Sequence, residues 1–250
     1  MNEPVSALDQ SLMTEVLPRT LLISPHLDDA VFGCGASLAG ASDTLVCTVF
    51  TARPIEDAQT DWDAQCGFSS AWQAMTERVE EDERALRLLG ATPRHLGFLD
   101  SQYVPFTPES AKPTRETLAR AFLDLIEELR PEALMIPLGL FHSDHLLVHE
   151  AACDAWLRHP ELPCVGYEEA LYRCMRGMLQ RRLTGLHERG IDATPLNASL
   201  PPPAEAARRD ALKREAVAAY ASQLKAFGPD GYDDVFLPER FWTLEPAEAG

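Results

Sequence analysis

Several features that define common classes of protein are missing from this sequence. No apolar run approaches the roughly 20 residues that a membrane-spanning helix needs. The segment from Met1 to Gln10 contains two acidic residues and has no basic stretch followed by an apolar one, so it does not resemble a signal peptide. We therefore expect a cytoplasmic protein with no membrane span.

Basic residues are also scarce. The sequence has 22 Lys and Arg against 39 Asp and Glu, which gives a formal net charge of −17. Because phosphate binding needs clustered Lys and Arg, we expect neither a nucleic-acid partner nor an anionic membrane surface. The charge is compatible with a neutral or cationic small molecule, and its simplest interpretation is that it keeps the protein soluble.

Paired cysteines are absent. None of the six cysteines lies in a Cys-x-x-Cys arrangement, so neither a cysteine-rich zinc site nor a thioredoxin-like motif is indicated. Several stand in apolar stretches such as Leu-Val-Cys-Thr-Val. This context is typical of small buried side chains in a reducing compartment.

What the sequence does contain is an alternation of short apolar runs and longer amphipathic segments. The order strand, helix, strand predicts an α/β fold, namely a doubly wound, mainly parallel sheet with helices on both faces. We expect a single domain over residues 1–250, with tails at about 1–19 and 243–250, and with residues 195–250 forming an appended helix and an irregular segment. The predicted strands are Thr20–Ser24, Thr44–Phe50, His95–Leu99, Ala133–Pro137 and Pro163–Tyr167. The predicted helices include Ala71–Leu89, Arg115–Leu129, His142–Leu157 and Ala204–Phe227. The predicted loops are Arg53–Phe68 and Tyr103–Thr114.

Two dense polar clusters follow the first and the fourth predicted strands. His26, Asp28 and Asp29 form the first, and His142-Ser-Asp-His145 forms the second. In the usual strand order these two strands are neighbours, so the clusters would meet at the crevice where such sheets bind ligands. Imidazole and carboxylate groups are zinc ligands, and a catalytic zinc site uses three of them.

Several ligand sets are compatible with these clusters. His26, one aspartate of the first cluster, and either His142 or His145 would complete a zinc site, and the remaining carboxylate and imidazole would serve as base and acid. Asp144 is available to orient a ligating histidine. Each cluster alone is explained by helix capping or packing, but their occurrence after two neighbouring strands favours a metal site. We interpret His149, one helical turn after His145, as a packing residue.

These residues resemble those of a known family. Ile23-Ser-Pro-His-Leu-Asp-Asp-Ala30 resembles the AHPDDE signature of the PIG-L/LmbE-like zinc-dependent N-deacetylase family, and His142-Ser-Asp-His145 resembles its second motif, His-Pro-Asp-His. The resemblance extends from about Leu21 to Gln223. Weaker similarities lie at Arg78-Val-Glu-Glu81, Leu99-Asp100, Tyr167-Glu168-Glu169 and Tyr220-Ala-Ser-Gln223.

The resemblance implies a fold, a reaction and a set of roles. The fold would be Rossmann-like, and the reaction would remove an N-acetyl group from an N-acetylglucosamine-type sugar conjugate through a zinc-activated water. The implied roles are zinc ligands His26, Asp29 and His145, general base Asp28, acid His142, Asp144 orienting a histidine, and Arg78 and Asp100 holding sugar hydroxyls.

The sequence departs from the family pattern at four positions. Leu27 and Ala30 replace a Pro and a Glu of the first motif, and Ser143 replaces the Pro of the second. Leu140 stands where some sugar-processing members have a Tyr, so the partner of the oxyanion and the effect of Ala30 stay open. None of these changes removes an implied ligand or the base.

Two other functions are compatible with the sequence. One is a zinc amidase or esterase of different specificity. The other is a non-catalytic sugar- or nucleotide-binding protein on a Rossmann-like fold, although acidic residues in the first loop would repel a pyrophosphate. An N/O ligand set does not select sharply for zinc, so Fe²⁺ or another divalent metal would also fit. The N-acetylated substrate and the oligomeric state, a homo-oligomer included, are left open by the sequence.

Overall fold

The computed structural model describes residues 19–106, 113–197 and 201–247, in which strands and helices alternate. The strands are β1 (Thr20–Ser24), β2 (Thr44–Phe50), β3 (Thr92–Phe98), β4 (Ala133–Pro137), β5 (Cys164–Tyr167), β6 (Ile191–Pro195) and β7 (Phe241–Pro246). The helices are α1 (Asp29–Leu38), α2 (Asp61–Cys66), α3 (Ala71–Leu89), α4 (Arg115–Leu129), α5 (Ser143–Trp156), α6 (Met178–Glu188), α7 (Pro203–Ala218) and α8 (Ala221–Phe227). Ser101–Phe106 and Asp233–Phe236 are 3₁₀ helices.

The strands form one sheet in the order β3-β2-β1-β4-β5-β7-β6. Neighbouring strands from β3 to β5 are parallel, whereas β7 runs antiparallel to both β5 and β6. This arrangement confirms the predicted α/β, mainly parallel fold. The chain winds outward in both directions from β1 and β4, which are paired to each other, and the crevice between them is where ligands bind in such sheets.

The alternation of side chains along β1 builds two cores, one on each face of the sheet. Leu21 and Ile23 point into a core completed by α4 and α5, with residues such as Phe122 and Trp156. Leu22 points the other way, into a core completed by α1, α3 and α7. All five residues of β1 are buried, as expected for a central strand covered on both sides.

The helix ends follow local capping signals. The side chain of Ser70 accepts a hydrogen bond from the backbone N–H of Gln73 (3.2 Å) at the start of α3. Gly90 ends α3 in the left-handed region, with φ 75°. Thr114 caps α4 in the same way as Ser70 caps α3. The predicted bounds of α3 and α4 are therefore confirmed, whereas those of α5 differ because His142 is its cap and not its first residue.

Three predictions about single elements are wrong. The predicted loop Arg53–Phe68 contains α2, which Thr60 begins with a capping box. The predicted loop after Tyr103 starts as a 3₁₀ helix, and its residues 107–112 lie outside the described residues. The predicted helix Ala204–Phe227 is two helices, broken at Tyr220 where the carboxylate of Glu81 binds the start of α8.

The C-terminal portion is not an irregular appendage. β7 lies inside the sheet between β5 and β6, and neither β6 nor β7 was predicted. Their partners are distant in the sequence, so local periodicity carries little signal for them. The predicted tail at 243–250 is wrong as far as Pro246. Residues 1–18, 198–200 and 248–250 lie outside the described residues. Among the helices of the described ranges, none has the length and apolar character needed to cross a membrane.

Candidate metal centre and active site

The turn after β1 holds the first cluster in a fixed shape. The Ser24 hydroxyl donates to the backbone carbonyl of His26 (2.8 Å) and accepts from the N–H of Ala30 (3.1 Å). Asp29, the first residue of α1, accepts a hydrogen bond from the N–H of His26 through Oδ2 (2.8 Å). The His26 ring and the Asp29 carboxylate are therefore held on the same side of the turn.

The second cluster is positioned by the start of α5. Nδ1 of His142 accepts a hydrogen bond from the backbone N–H of Asp144 (3.2 Å), so the imidazole itself caps the helix. His145 lies in the first turn of α5 and is fully buried. Because β1 and β4 are paired, the two clusters meet, and the ring centroids of His26 and His145 are 5.1 Å apart.

Three ligand atoms form a nearly equilateral triangle. His26 Nδ1 lies 3.2 Å from His145 Nε2 and 3.2 Å from Asp29 Oδ2. His145 Nε2 and Asp29 Oδ2 are also 3.2 Å apart. Zinc bonds of about 2.0–2.1 Å place the ligand atoms of a tetrahedral site about 3.3 Å apart, so these residues fit a zinc-sized cation.

A second group of residues offers a looser arrangement. His26, His142 and Asp144 have ligand atoms within 4.8 Å of one another. However, Oδ2 of Asp144 already accepts hydrogen bonds from His26 Nε2 (3.2 Å) and from the N–H of Ser101 (3.1 Å). The structure thus brings together both candidate sets, and the closer distances favour His26, Asp29 and His145.

The electrostatic field at the triangle favours a cation. Burial alone would lower the pKa of His26, but Asp144 and Asp29 outweigh it and raise that pKa well above the usual range. Burial would also lower the pKa of His145, but Asp29 and Glu169 raise it to about 9. The pKa of Asp29 is lowered, because His145 and His26 outweigh the effect of burial. A divalent cation would take the place of the protons that this field attracts.

Asp28 and His142 face the same cavity but play no part in the triangle. Asp28 directly precedes α1, makes no side-chain capping hydrogen bond to it and is 7% exposed. Burial, followed by the charge of Asp29, raises its pKa to about 7. The pKa of His142 is lowered by burial and then by the positive charge of His26. Because Nδ1 of His142 accepts a hydrogen bond, the proton of the neutral ring lies on Nε2.

Arg78 and Asp100 line the same cavity, and Oδ2 of Asp100 lies 3.9 Å from Nε2 of His26. Arg78, on α3, is 4% exposed, and its Nη1 lies 3.8 Å from Oδ2 of Asp100. Asp100, which follows β3, accepts hydrogen bonds from the backbone and side-chain N–H groups of Gln102 (both 3.0 Å). The cavity has a volume of about 320 Å³. Its other lining residues include Trp62, Ser101, Leu171, Tyr172, Gln223 and Phe227.

Sequence reasoning assigned no role to three residues of this site. Glu169 lies 3.3 Å from Nδ1 of His145, on the side away from the triangle. The ring of Tyr172 lies 5.1 Å from that of His145. Gln223 accepts a hydrogen bond from the indole N–H of Trp62 (3.1 Å). Glu169 and Tyr172 follow the carboxyl end of β5, so the rule that led to the two clusters could have found them, whereas Gln223 depends on how α8 folds back.

The fold and the site define an α/β protein with a histidine–aspartate cluster that could hold a metal ion, at the switch point of its sheet. The family described as "PIG-L: GlcNAc-PI de-N-acetylase" matches residues 21–156, which include both polar clusters. The chain therefore belongs to this family, and the predicted membership is confirmed.

Individual relatives agree with this assignment. The 2'-N-acetylparomamine deacetylase of Streptomyces fradiae is 32% identical over 175 residues, which cover 61% of this chain and 60% of that protein. The uncharacterized deacetylase YaiS of Escherichia coli (strain K12) is 27% identical over 171 residues, 64% of this chain and 80% of that protein. A crystal structure of the zinc-inhibited form of the teicoplanin deacetylase Orf2 shares the fold, with a TM-score of 0.71 and 22% identity over 93% of this chain and 100% of that chain.

Proposed function

We propose that this protein is a metal-dependent hydrolase that removes an N-acetyl group from an N-acetylglucosamine-type sugar conjugate. The observation that carries the proposal is the 3.2 Å triangle of His26, Asp29 and His145 on the wall of a cavity. Zn²⁺ is the proposed metal, with Fe²⁺ or another divalent ion as the alternative. Membership of the family and the relative named 2'-N-acetylparomamine deacetylase support the acetyl amide as the target.

The metal would supply Lewis-acid chemistry, because it polarises the amide carbonyl and makes water a stronger nucleophile at neutral pH. The remaining steps fall to the chain itself. Asp28 lies in the cavity and outside both candidate ligand groups of the described residues, so its carboxylate is free to take the proton of the attacking water.

His142 is suited to the opposite task. Its Nε2–H is a donor, because Nδ1 is occupied as the cap of α5. We assign it to stabilise, by a hydrogen bond from Nε2–H, the negative charge that develops on the carbonyl oxygen. A neutral ring that gave up its Nε2 proton would become an imidazolate, so the proton for the leaving amine would be the one that Asp28 takes from the water. Asp144 accepts a hydrogen bond from Nε2 of His26 (3.2 Å), which leaves Nδ1 of His26 available as a ligand.

The substrate would be a small molecule held in the cavity that the candidate ligands line. We assign Arg78 and Asp100 to hold sugar hydroxyls in the cavity that Trp62, Tyr172 and Phe227 also line. Leu140 is 1% exposed and packs in the core, so no oxyanion partner comes from that position. The cytoplasm stays the proposed compartment.

The proposal is tested with variants that distinguish the proposed general base, Asp28, from the proposed metal ligand Asp29. The Asp28→Asn variant should bind the same amount of metal as wild type but lose about 10²–10⁴-fold in kcat, because only the proton acceptor is removed. The Asp29→Ala variant should lose the metal itself, and it also distinguishes the two candidate ligand groups because Asp29 belongs to one of them. Metal content is measured by elemental analysis, and turnover by amine release from a panel of N-acetylglucosamine conjugates with and without a chelator.

The exposed Asp124 on α4 provides the control, since Asp124→Asn should leave both readouts unchanged. Wild-type turnover in Asp28→Asn would refute the assignment of the base. Full metal content in Asp29→Ala would refute the triangle. A metal-loaded wild type that releases amine from no conjugate would favour an amidase or esterase of other specificity, and a wild type without metal would favour a non-catalytic binder.

A further inference from the structure

Glu169 lies directly behind the triangle of candidate ligands. It follows β5, it is 1% exposed, and a single oxygen of its carboxylate collects three hydrogen bonds. Its Oε1 accepts from the backbone N–H groups of Gly139 (2.6 Å) and Leu140 (2.9 Å) and lies 3.3 Å from Nδ1 of His145. The other oxygen is buried and has no hydrogen-bond partner among the described residues. One oxygen of the Glu169 carboxylate therefore contacts both the Gly139–Leu140 backbone and the imidazole of His145.

The first consequence concerns His145. If Nε2 of His145 binds a metal, the proton of the ring must lie on Nδ1, and a buried N–H needs an acceptor. His145 is fully buried, so water is not available for this purpose. Glu169 is the acceptor at hydrogen-bonding distance from Nδ1, and it holds both the tautomer and the orientation that binding through Nε2 requires.

The second consequence concerns the loop between β4 and α5, which ends at His142. Gly139 has φ +75°, and a Cβ at this position would lie 2.7 Å from Cβ of His149, so the backbone passes very close to α5. On the far side, Nη2 of Arg182 donates to the carbonyl of Gly139 (2.7 Å). The N–H of Gly139 is held by Glu169 and its C=O by Arg182, which fixes the path of the chain toward His142.

We propose that Glu169 is a positioning residue of the metal centre. It orients His145 for metal binding and, through the same oxygen, ties this ligand to the loop that carries His142. The inference rests on the proposed function in one respect, namely that His26, Asp29 and His145 hold a divalent metal.

The neighbouring Glu168 provides a matched control. It is equally buried, at 1% exposed, but its side chain points away from the centre, and its Oε1 accepts from the indole N–H of Trp242 on β7 (2.9 Å). We would compare Glu169→Gln, Glu169→Ala and Glu168→Gln with wild type. The measurements are the dissociation constant for Zn²⁺, by competition with a chromophoric chelator, the visible absorption of the Co²⁺-loaded protein, and the Tm of the metal-free protein.

We expect the Zn²⁺ dissociation constant to rise about tenfold in Glu169→Gln, which keeps a neutral acceptor, and up to about 100-fold in Glu169→Ala. The Co²⁺ spectrum should change in both variants, and Glu168→Gln should match wild type in both metal readouts. If Glu169→Ala does not fold, Glu169→Gln decides, because its side chain has nearly the same shape.

Unchanged Zn²⁺ affinity and an unchanged Co²⁺ spectrum in Glu169→Gln would overturn the inference, and so would an equal loss in Glu168→Gln. A wild-type protein that binds no Zn²⁺ would overturn the proposed metal centre together with this inference. Wild-type affinity in the Glu169 variants would leave the metal centre standing and remove only the role of Glu169.

Discussion

His149 illustrates how burial decides the state of a single imidazole near the proposed centre. It lies one turn beyond His145 on α5, is fully buried, and hydrogen-bonds through Nδ1 to the carbonyl of Pro137 at the end of β4 (2.8 Å). Burial, with smaller contributions from Arg182 and other cations, lowers its pKa to about 3. The ring is therefore a neutral packing residue that joins β4 to α5, as interpreted from the sequence.

This lowered pKa makes stability depend on pH. Below its ordinary pKa of 6.5 the histidine of the unfolded chain takes up a proton, whereas the folded protein takes it up only near a pKa of about 3. The unfolded state thus binds more protons between these values, and the free energy of unfolding falls as the pH drops below 6.5. At pH 5 the loss amounts to about 2 kcal/mol relative to pH 8.

The His149→Gln variant should lack this component, because glutamine can still donate to Pro137 but does not titrate. Its free energy of unfolding should fall by about 2 kcal/mol less than that of wild type between pH 8 and pH 5. Urea unfolding of the metal-free proteins, with a chelator present, measures the difference. The exposed His187 serves as the control, and His187→Gln should follow wild type. Identical pH dependence in His149→Gln and wild type would contradict the prediction.

At the scale of elements, a buried pair of hydrogen bonds separates α7 from α8. The carboxylate of Glu81 on α3 accepts hydrogen bonds from the backbone N–H of Ser222 (2.9 Å) and from its hydroxyl (2.6 Å). This contact begins a new helix after Tyr220 and turns it toward the cavity. As a result α8 brings Gln223 and Phe227 to the cavity wall.

The Glu81→Ala variant should affect both stability and substrate binding. Two buried donors of Ser222 would lose their acceptor, which costs about 1–3 kcal/mol of unfolding free energy. Because α8 supplies cavity wall and none of the proposed reacting groups, we expect KM to rise more than kcat falls. Urea unfolding and steady-state kinetics measure the two effects, with Glu80→Ala, an exposed position on the same helix, as the control. Equal behaviour of the two variants would show that the contact does not hold α8.

The contact between Glu81 and Ser222 illustrates the difference between elements that could be predicted from the sequence and those that could not. The bounds of α3 were predicted to the residue, because its apolar period and its caps at Ser70 and Gly90 are local. The two polar clusters were predicted to meet, because strand order alone brings them together. The break before α8 was not predictable in this way, because it depends on a hydrogen bond between residues distant in the sequence. The place of Glu169 after β5 was open to the same strand-end rule, but its hydrogen bonds to Gly139 and His145 were not. Sequence patterns therefore located the candidate ligands but not the groups that hold them.

At the scale of the whole molecule, β7 joins the C-terminal part to the rest of the sheet. Phe241 is buried in the core next to α1 and α3, and Leu244 in the core next to α4 and α5. Leu244 also lies opposite Cys164 of β5 and Ala193 of β6. We propose on this basis that the described ranges between residues 19 and 247 fold as a single domain.

If the protein is a single domain, a destabilising substitution in β7 should lower the Tm of the entire protein. Leu244→Ala removes a side chain that is 2% exposed, and such a change costs about 2–5 kcal/mol. For a chain of this size the corresponding decrease in Tm is about 4–20 °C, because each kcal/mol shifts Tm by about 2–4 °C. Calorimetry of Leu244→Ala should show one transition at this lower temperature, while Glu245→Ala, an exposed position on the same strand, should keep the wild-type Tm. If β7 instead belonged to a separate unit, the main transition would stay in place and a second, weaker one would appear. The pairing of β7 with β5 and the packing of Phe241 and Leu244 in the two cores argue against such a separate unit.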